Sequence, residues 1–118
     1  MIGVAVRRQR SYLPATSLAL QALGSQIAAA RRELGWTAAE LAGRLGVTPQ
    51  LVTRIEKGAP GTAIGTVLEA AVVCGVPLFG VDPADRAALG AVAERERNRV
   101  ALLPARTRRK PVVVDDDF

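Results

Sequence analysis

The segment from residue 37 to residue 58, TAAELAGRLGVTPQLVTRIEKG, contains two short amphipathic helical patterns separated by a glycine. In the first pattern Leu41 and Leu45 recur four residues apart, with Ala42 beside them, so one face of the helix is apolar and small. A second helix can therefore cross that face closely. Gly46 is expected to end the first helix and to reverse the chain, because glycine adopts positive φ without a clash from a Cβ atom.

The second pattern predicts a helix that begins directly after this turn. Thr48 is a good N-cap residue, and Pro49 suits the first helical position, where its missing N–H costs nothing. Val52 and Ile55 are expected to face inward. Four side chains are then expected to point outward from the first turns of the helix: Gln50, Leu51, Thr53 and Arg54. Two helices joined in this way form a helix-turn-helix, whose second helix enters the major groove of DNA.

The composition predicts an all-α fold. Aromatic residues make up only 3% of the 118 residues, so the core must be built from Ala, Leu, Val and Ile. Ala-rich segments with few β-branched runs favour helices over sheets. A chain of this length suits one small domain. We therefore expect a compact bundle of about five helices that contains the helix-turn-helix.

The charge balance favours a polyanionic partner. Sixteen Lys and Arg residues oppose eleven Asp and Glu residues, which leaves a formal net charge of +5. A basic domain with outward polar side chains on a helix is typical of proteins that bind double-stranded DNA. The sequence therefore predicts a DNA partner.

Several other classes of function lack their usual residues in this sequence. Histidine is absent and Cys74 is the single cysteine, so zinc sites, imidazole catalysis and disulfides are not expected. Cys74 is expected to be a small core residue. Because no phosphate-binding Gly-rich loop or nucleophile and base pair is visible, we expect neither an enzyme nor a bound cofactor. No apolar run of about eighteen residues and no secretory signal occur, so the expected location is the cytoplasm, at the nucleoid, without membrane association.

The chain divides into four expected regions: a basic, mobile N-terminal arm over 1–19, the helix-turn-helix domain over 20–80, a C-terminal helix over 81–103 and a charged tail over 104–118. Arg7, Arg8 and Arg10 in the arm either grip DNA or belong to a disordered extension. The tail ends in a valine triplet, three aspartates and Phe118, and is either a docking peptide or a solubilising tail.

Patterning also predicts the limits of the other helices. The first helix is expected from Leu20 to Leu34, and Thr62 is expected to cap a fourth helix that Gly75 ends. A fifth helix is expected to begin near Pro83 and to run to Leu103. Between the fourth and fifth helices, two apolar residues are expected to cover the core: Leu78 and Phe79.

The stretch from Leu23 to Gly58 resembles the Xre family of helix-turn-helix regulators, which includes phage repressors and Cro proteins. Five family landmarks fall in register: LG at 23–24, RRELGWT at 31–37, AELA at 39–42, LGVT at 45–48 and RIEKG at 54–58. Extended to Phe79, the chain looks most like the DNA-binding antitoxins of HipBA-type toxin-antitoxin modules. The segment GTVLEAAVVCGVPLFG and the acidic DDDF ending both suit that subgroup.

The resemblance implies roles for individual residues. It assigns base reading to Gln50, Leu51, Thr53 and Arg54, and phosphate contacts to Thr37, Arg44, Thr48 and Lys57. It also implies that Arg31 and Glu56 form a buried or half-buried ion pair that serves the architecture. The sequence departs from the family at Ala38, where members commonly carry a glutamine that reaches a phosphate, and at Pro49, a position that reads a base in some relatives. Both departures affect operator preference rather than the fold.

The leading expectation is a repressor that binds operator DNA as a homodimer and autoregulates its own operon as an antitoxin. One alternative is an adaptor that mainly sequesters a HipA-like kinase toxin, and another is an orphan phage-type regulator without a toxin. The surface that joins two protomers is expected to centre on residues 64–90, with the fifth helix and the valine triplet as further candidates.

Overall fold

The structure, a computed structural model, describes residues 11–106 as five helices. They are α1 (Pro14–Glu33), α2 (Ala38–Leu45), α3 (Pro49–Glu56), α4 (Ile64–Cys74) and α5 (Arg86–Ala101). Between residues 11 and 106 the only β pairing is an isolated antiparallel bridge that joins Leu78 to Val81. None of the helices in this part of the chain is both long and apolar enough to span a membrane. The predicted all-α bundle with a helix-turn-helix is confirmed.

The turn between α2 and α3 has the local structure that the sequence predicts. Gly46 ends α2 in the left-handed conformation with φ 72°. The amide of Val47 then donates to the carbonyl of Ala42 at 3.0 Å, which closes the reversal. Thr48 caps α3 by accepting a hydrogen bond from the amide of Leu51 at 3.2 Å, and Pro49 occupies the first turn.

The start of α2 is fixed by a reciprocal pair of hydrogen bonds. The Thr37 hydroxyl accepts from the amide of Glu40 at 3.0 Å, and the Glu40 carboxylate accepts from the amide of Thr37 at 2.8 Å. This capping box satisfies two amides that the helix itself leaves unpaired. The same hydrogen bonds hold the pKa of Glu40 below its usual value.

Helices α1 to α4 pack against one another around one aliphatic core. Ile27 of α1, Leu41 of α2 and Val52 of α3 are fully buried at its centre, and α4 closes it. Cys74 is buried among these aliphatic side chains, as predicted, and burial raises the pKa of its thiol. Six further buried apolar residues complete the core: Ala42, Ile55, Val67, Ala70, Ala71 and Val76.

Helix α1 begins six residues earlier than the sequence pattern predicted. Its first residue is Pro14 rather than Leu20, so residues 14–19, which were expected in the N-terminal arm, are helical. Proline suits this position because the first amides of a helix have no intrahelical partner. The arginines expected to grip DNA lie in residues 1–10, outside the described residues, and so does the tail beyond residue 106.

Three further expectations about the C-terminal half are wrong. Thr62 does not cap α4: its hydroxyl donates to the carbonyl of Ala59 at 3.4 Å, and Ala63 precedes the helix. Helix α5 begins at Arg86 rather than near Pro83, because the Asp85 carboxylate accepts from the amide of Ala88 and caps the helix there. Phe79 does not cover the core.

Phe79 has φ 52°, and 78% of the residue's surface is exposed. Positive φ is uncommon for residues other than glycine, and here it belongs to the tight turn between the bridge residues Leu78 and Val81. Leu78, in contrast, packs against the core as expected. The turn therefore buries one of its two large apolar side chains and presents the other to solvent.

Candidate nucleic-acid interface

Helix α3 has one face in the core and one in solvent. Val52 and Ile55 are buried, whereas Gln50, Thr53 and Arg54 are exposed. The expectation that Leu51 points wholly outward is wrong, because its side chain is half-buried and packs against the core. The exposed polar face therefore consists mainly of three side chains in the first two turns of the helix.

The exposed side chains of α3 keep most of their hydrogen-bonding capacity. Within residues 11–106, no hydrogen bond or ion pair occupies the side chains of Gln50, Arg54 or Lys57. The Thr53 hydroxyl donates to the carbonyl of Pro49 at 3.2 Å and still has oxygen lone pairs free to accept. Gln50 and Arg54 can therefore offer all their donors and acceptors to a ligand.

The four side chains assigned to phosphate contacts stand in different surroundings. Thr37 and Thr48 both cap helices, so their oxygens accept from backbone amides while their hydroxyl protons are still available to a phosphate. The Arg44 guanidinium stacks over the indole of Trp36, with its central carbon 4.0 Å from the ring centroid. Lys57 follows the end of α3 and is exposed.

A shallow groove between α1 and α3 brings a further cation beside Lys57. The groove has a volume of about 540 Å³, and Arg32, Thr53 and Lys57 line it together with Ala38. Arg32 is exposed and makes no hydrogen bond or ion pair inside the described range 11–106. The sequence analysis did not select it, although it is the second arginine of the RRELGWT segment. Arg32 and Lys57 therefore place two positive charges beside the groove. Ala38, which also lines it, has no polar side-chain group.

Arg31 and Glu56 form a buried bidentate ion pair. The Arg31 Nε donates to Glu56 Oε2 at 2.6 Å and Nη2 donates to Oε1 at 2.9 Å, while only 10% and 11% of the two side chains are exposed. A third donor, Nη1, reaches the carbonyl oxygen of Trp36 at 2.8 Å. The hydrogen bonds that Arg31 donates to the Glu56 carboxylate raise the pKa of Arg31, so the guanidinium stays charged. The pair joins α1, the end of α3 and the loop before α2.

Two glycines let α1 approach the end of α3 at backbone distance. A Cβ atom on Gly24 would lie 2.5 Å from the carbonyl oxygen of Ile55, and one on Gly58 would lie 2.7 Å from the amide nitrogen of Gln21. Gly58 also has φ 76°, which disfavours other residues there. Backbone contact and the Arg31 ion pair together fix the angle at which α3 presents its polar face.

Four packed helices, a tight glycine turn and a polar outer face on the second motif helix define a helix-turn-helix protein. Residues 22–89 match the family described as a helix-turn-helix domain, a span of more than half of the chain. The chain belongs to this family and is a DNA-binding regulator of a generally non-enzymatic class. Neither a curated protein nor a solved structure matches the chain.

Proposed function

We propose that this chain is a sequence-specific repressor that binds operator DNA as a homodimer through α3. The observation that carries the proposal is the pair of unoccupied side chains, Gln50 and Arg54, on the solvent face of the second motif helix. In this motif the first turns of that helix contact base edges in the major groove. One such helix reads only about half an operator, so two protomers related by a two-fold axis are needed.

The proposed base contacts follow from donor and acceptor geometry. The Gln50 amide can pair with N6 and N7 of adenine, and the Arg54 guanidinium with O6 and N7 of guanine. Each good bidentate pair discriminates against the wrong base by about 1–3 kcal/mol. Thr53 can accept from or donate to either base type, and the exposed part of Leu51 can contact a thymine methyl group.

The proposed phosphate contacts would fix the position of α3 along the duplex. Lys57 and Arg32 flank the groove between α1 and α3, and Arg44 contributes a further exposed cation. The amides and hydroxyls at the starts of α2 and α3, at Thr37 and Thr48, are suited to the same task. Residues 20–80 would therefore form the DNA-binding unit, and its affinity would fall with rising salt.

The test is fluorescence anisotropy of the full chain on the promoter fragment upstream of its own gene, with a scrambled fragment of equal length, at physiological salt. A sequence-specific repressor should bind the promoter about a thousandfold more tightly than the scrambled fragment. Equal, weak binding to both fragments would leave only the attraction of a basic protein for DNA and would contradict the proposal.

Two variants separate base reading from phosphate binding. Arg54→Ala should lower affinity for the promoter by about tenfold or more while changing binding to scrambled DNA little. Lys57→Ala should weaken both, and should reduce the slope of log K against log salt by about one unit. Arg97→Ala is the matched control. Arg97 is exposed on α5, so its substitution removes one positive charge at a site distant from α3. Equal losses on both fragments for Arg54→Ala would remove Arg54 from the base-reading set.

We propose further that the chain acts as an autoregulating antitoxin with a HipA-like kinase toxin as its partner. This proposal is supported by the resemblance of residues 23–79 and of the DDDF ending to the antitoxins of HipBA-type modules. Truncation at Leu103 should preserve promoter binding and abolish capture of a kinase encoded beside this gene. If the truncated chain still captures the kinase, the tail is not the docking element. If no kinase gene lies beside the gene for this chain, an orphan regulator without a toxin is favoured.

A further inference from the structure

The guanidinium of Arg44 is held by an aromatic ring rather than by a polar partner. Arg44 lies in the last turn of α2 and is exposed. Its guanidinium carbon is nevertheless 4.0 Å from the centroid of the Trp36 ring, and Trp36 precedes the helix. Within residues 11–106 the Arg44 side chain makes no hydrogen bond or ion pair. The stack therefore orients the cation and leaves its N–H donors free.

The stack brings the charge of Arg44 to the start of α2. Side chains on a helix point back toward its N-terminus, and Trp36 directly precedes the Thr37 cap. Glu40, which closes the capping box, lies close to the same charge. Hydrogen bonds with Thr37 are the main cause of the lowered pKa of Glu40, and attraction to Arg44 adds to them. The guanidinium therefore lies beside the helix start to which a phosphate contact of Thr37 is assigned.

The Trp36 ring is a rigid support because the fold holds this residue in three ways. The ring is half-buried and packs against the aliphatic core. The amide of Trp36 donates to the carbonyl of Arg31 at 3.1 Å, and the carbonyl of Trp36 accepts from Arg31 Nη1 at 2.8 Å. Arg31 is fixed in turn by its buried ion pair with Glu56. The position of the Arg44 cation thus depends on the same contacts that fix α3.

We propose that Trp36 is a positioning residue for DNA binding, which acts by holding the Arg44 guanidinium in the orientation that contacts a backbone phosphate. The inference rests on the proposed function, in which Arg44 contacts phosphate, and deepens it by adding the residue that places this contact. The positive end of the α2 dipole disfavours a cation, so the ring is needed to keep the guanidinium at the helix start.

The stack prepares the phosphate contact before DNA arrives. A free arginine side chain loses rotamer freedom when it binds a ligand, and the ring removes part of that freedom in the unbound protein. The guanidinium suits this arrangement because it is planar. Its face stacks on the indole while its edge offers N–H donors to phosphate oxygens. Loss of the ring should therefore weaken the contact without removing the charge.

The first test asks whether the stack forms in solution. Trp36 is the single tryptophan of the chain, so tryptophan emission reports on it alone. Arg44→Gln uncovers one face of the ring, and quenching by acrylamide should increase by about 1.5-fold or more in the free protein. Arg97→Gln, which removes an exposed arginine of α5, is the matched control and should leave quenching unchanged. Equal quenching of Arg44→Gln and the wild-type chain would overturn the proposal.

The second test is a double-mutant cycle on DNA affinity, measured by fluorescence anisotropy with the promoter and scrambled fragments. Arg44→Gln should lower both affinities by about fivefold at physiological salt and reduce the salt slope by about one unit, because one phosphate contact is lost. Trp36→Leu should lower both by about threefold with the slope unchanged, because the charge remains. In the Arg44→Gln background, Trp36→Leu should have no further effect. The same loss in that background would overturn the proposal.

Two further variants separate the stack from damage to the fold. Arg44→Lys keeps the charge and the ring but lacks the planar face, so it should reproduce the loss of affinity seen for Trp36→Leu. Trp36→Phe keeps an aromatic face and should recover part of that affinity. Lys57→Ala removes a different proposed phosphate contact, and in that background Trp36→Leu should keep its full effect. Wild-type affinity for Arg44→Lys would overturn the proposal.

The outcome is separable from that of the repressor proposal. The quenching test needs no DNA, and phosphate contacts do not distinguish the promoter from the scrambled fragment. Equal binding to the two fragments, with Trp36 and Arg44 coupled, would contradict the sequence-specific repressor and support the positioning role. Preference for the promoter without coupling between Trp36 and Arg44 would do the opposite. A wild-type chain that binds neither fragment would contradict both.

Discussion

Two pairs of arginine and glutamate show how differently the two halves of the molecule use the same side chains. Arg31 and Glu56 meet inside the α1–α4 bundle with about one tenth of each side chain exposed, whereas Arg99 and Glu96 meet on α5 with 74% and 50% exposed. The first pair has lost most of its water, and the second has kept it. Charges in the bundle are therefore part of the fold, whereas charges on α5 remain solvated.

The same contrast holds for apolar side chains. Ile27, Leu41 and Val52 are fully buried between α1 and α4, while Val100 and Leu102 on and beside α5 are 68% and 86% exposed. Because burial of apolar surface is the main source of folding free energy, stability should depend on the bundle and hardly on α5. Matched substitutions in the two regions can measure that difference.

The largest effect is expected from breaking the buried ion pair. Arg31→Ala leaves the Glu56 carboxylate without its partner in a dry site, so the free energy of unfolding should fall by about 3–5 kcal/mol. Arg99→Ala on α5 is the control and should cost about 0.5 kcal/mol or less. Urea denaturation of dilute, monomeric protein measures both. Similar losses for the two variants would show that burial does not separate the pairs.

The next effect concerns the contact of α1 with the end of α3. Gly24→Ala drives a methyl group into the carbonyl oxygens of Ile55 and Glu56, so the free energy of unfolding should fall by about 3 kcal/mol. Gly43→Ala in α2 meets no atom within 4 Å and should raise stability by about 0.5–1 kcal/mol through helix propensity. If both substitutions stabilise the protein, the close approach of the two backbones is not needed.

A matched valine pair sharpens the comparison of the two apolar surfaces. Val52→Ala in the core should lower the free energy of unfolding by about 2 kcal/mol, since it removes packed methyl groups and leaves a cavity. Val100→Ala on α5 should change it by about 0.5 kcal/mol at most, because the side chain is largely exposed. A large loss of monomer stability from Val100→Ala would place the side chain against its own protomer.

The smallest effect is a pH dependence at the start of α2. The pKa of Glu40 is held below its ordinary value of 4.5 by the hydrogen bond from the amide of Thr37. The contribution of the carboxylate to stability is therefore complete above pH 4.5 and is lost as the pH falls through the lowered value in the folded protein. Glu40→Gln should flatten the acid side of the curve of melting temperature against pH, and an unchanged curve would contradict the role of the capping box.

The parts of the fold that the sequence predicted well depend on local signals. Gly46, Thr48 and Pro49 define the turn by their own backbone preferences, and the structure confirms all three. The start of α1 at Pro14 was missed because the residues of its first turns are largely exposed, so no apolar periodicity marks them. Phe79 was misplaced because apolar character alone does not show on which side of a tight turn a residue lies.

Contacts between distant parts of the chain were beyond local patterns. Arg31 and Glu56 are 25 residues apart, and their pairing was implied only by family resemblance. The stack of Arg44 on Trp36 and the position of Arg32 beside Lys57 both depend on how three helices cross, which residue spacing does not give. The assignments of Gln50, Leu51, Thr53 and Arg54 to base reading, and of Thr37, Arg44, Thr48 and Lys57 to phosphate contacts, stay predictions.

The backbone contacts at Gly24 and Gly58 have a consequence for how the specificity of such a protein could change. They hold α3 through main-chain atoms and through the Arg31–Glu56 pair, so the docking angle does not depend on the side chains of Gln50, Thr53 and Arg54. These three positions can be randomised together while the scaffold is kept. The chain is therefore a suitable starting point for selecting new operator preferences from a library in which only the outer face of one short helix varies.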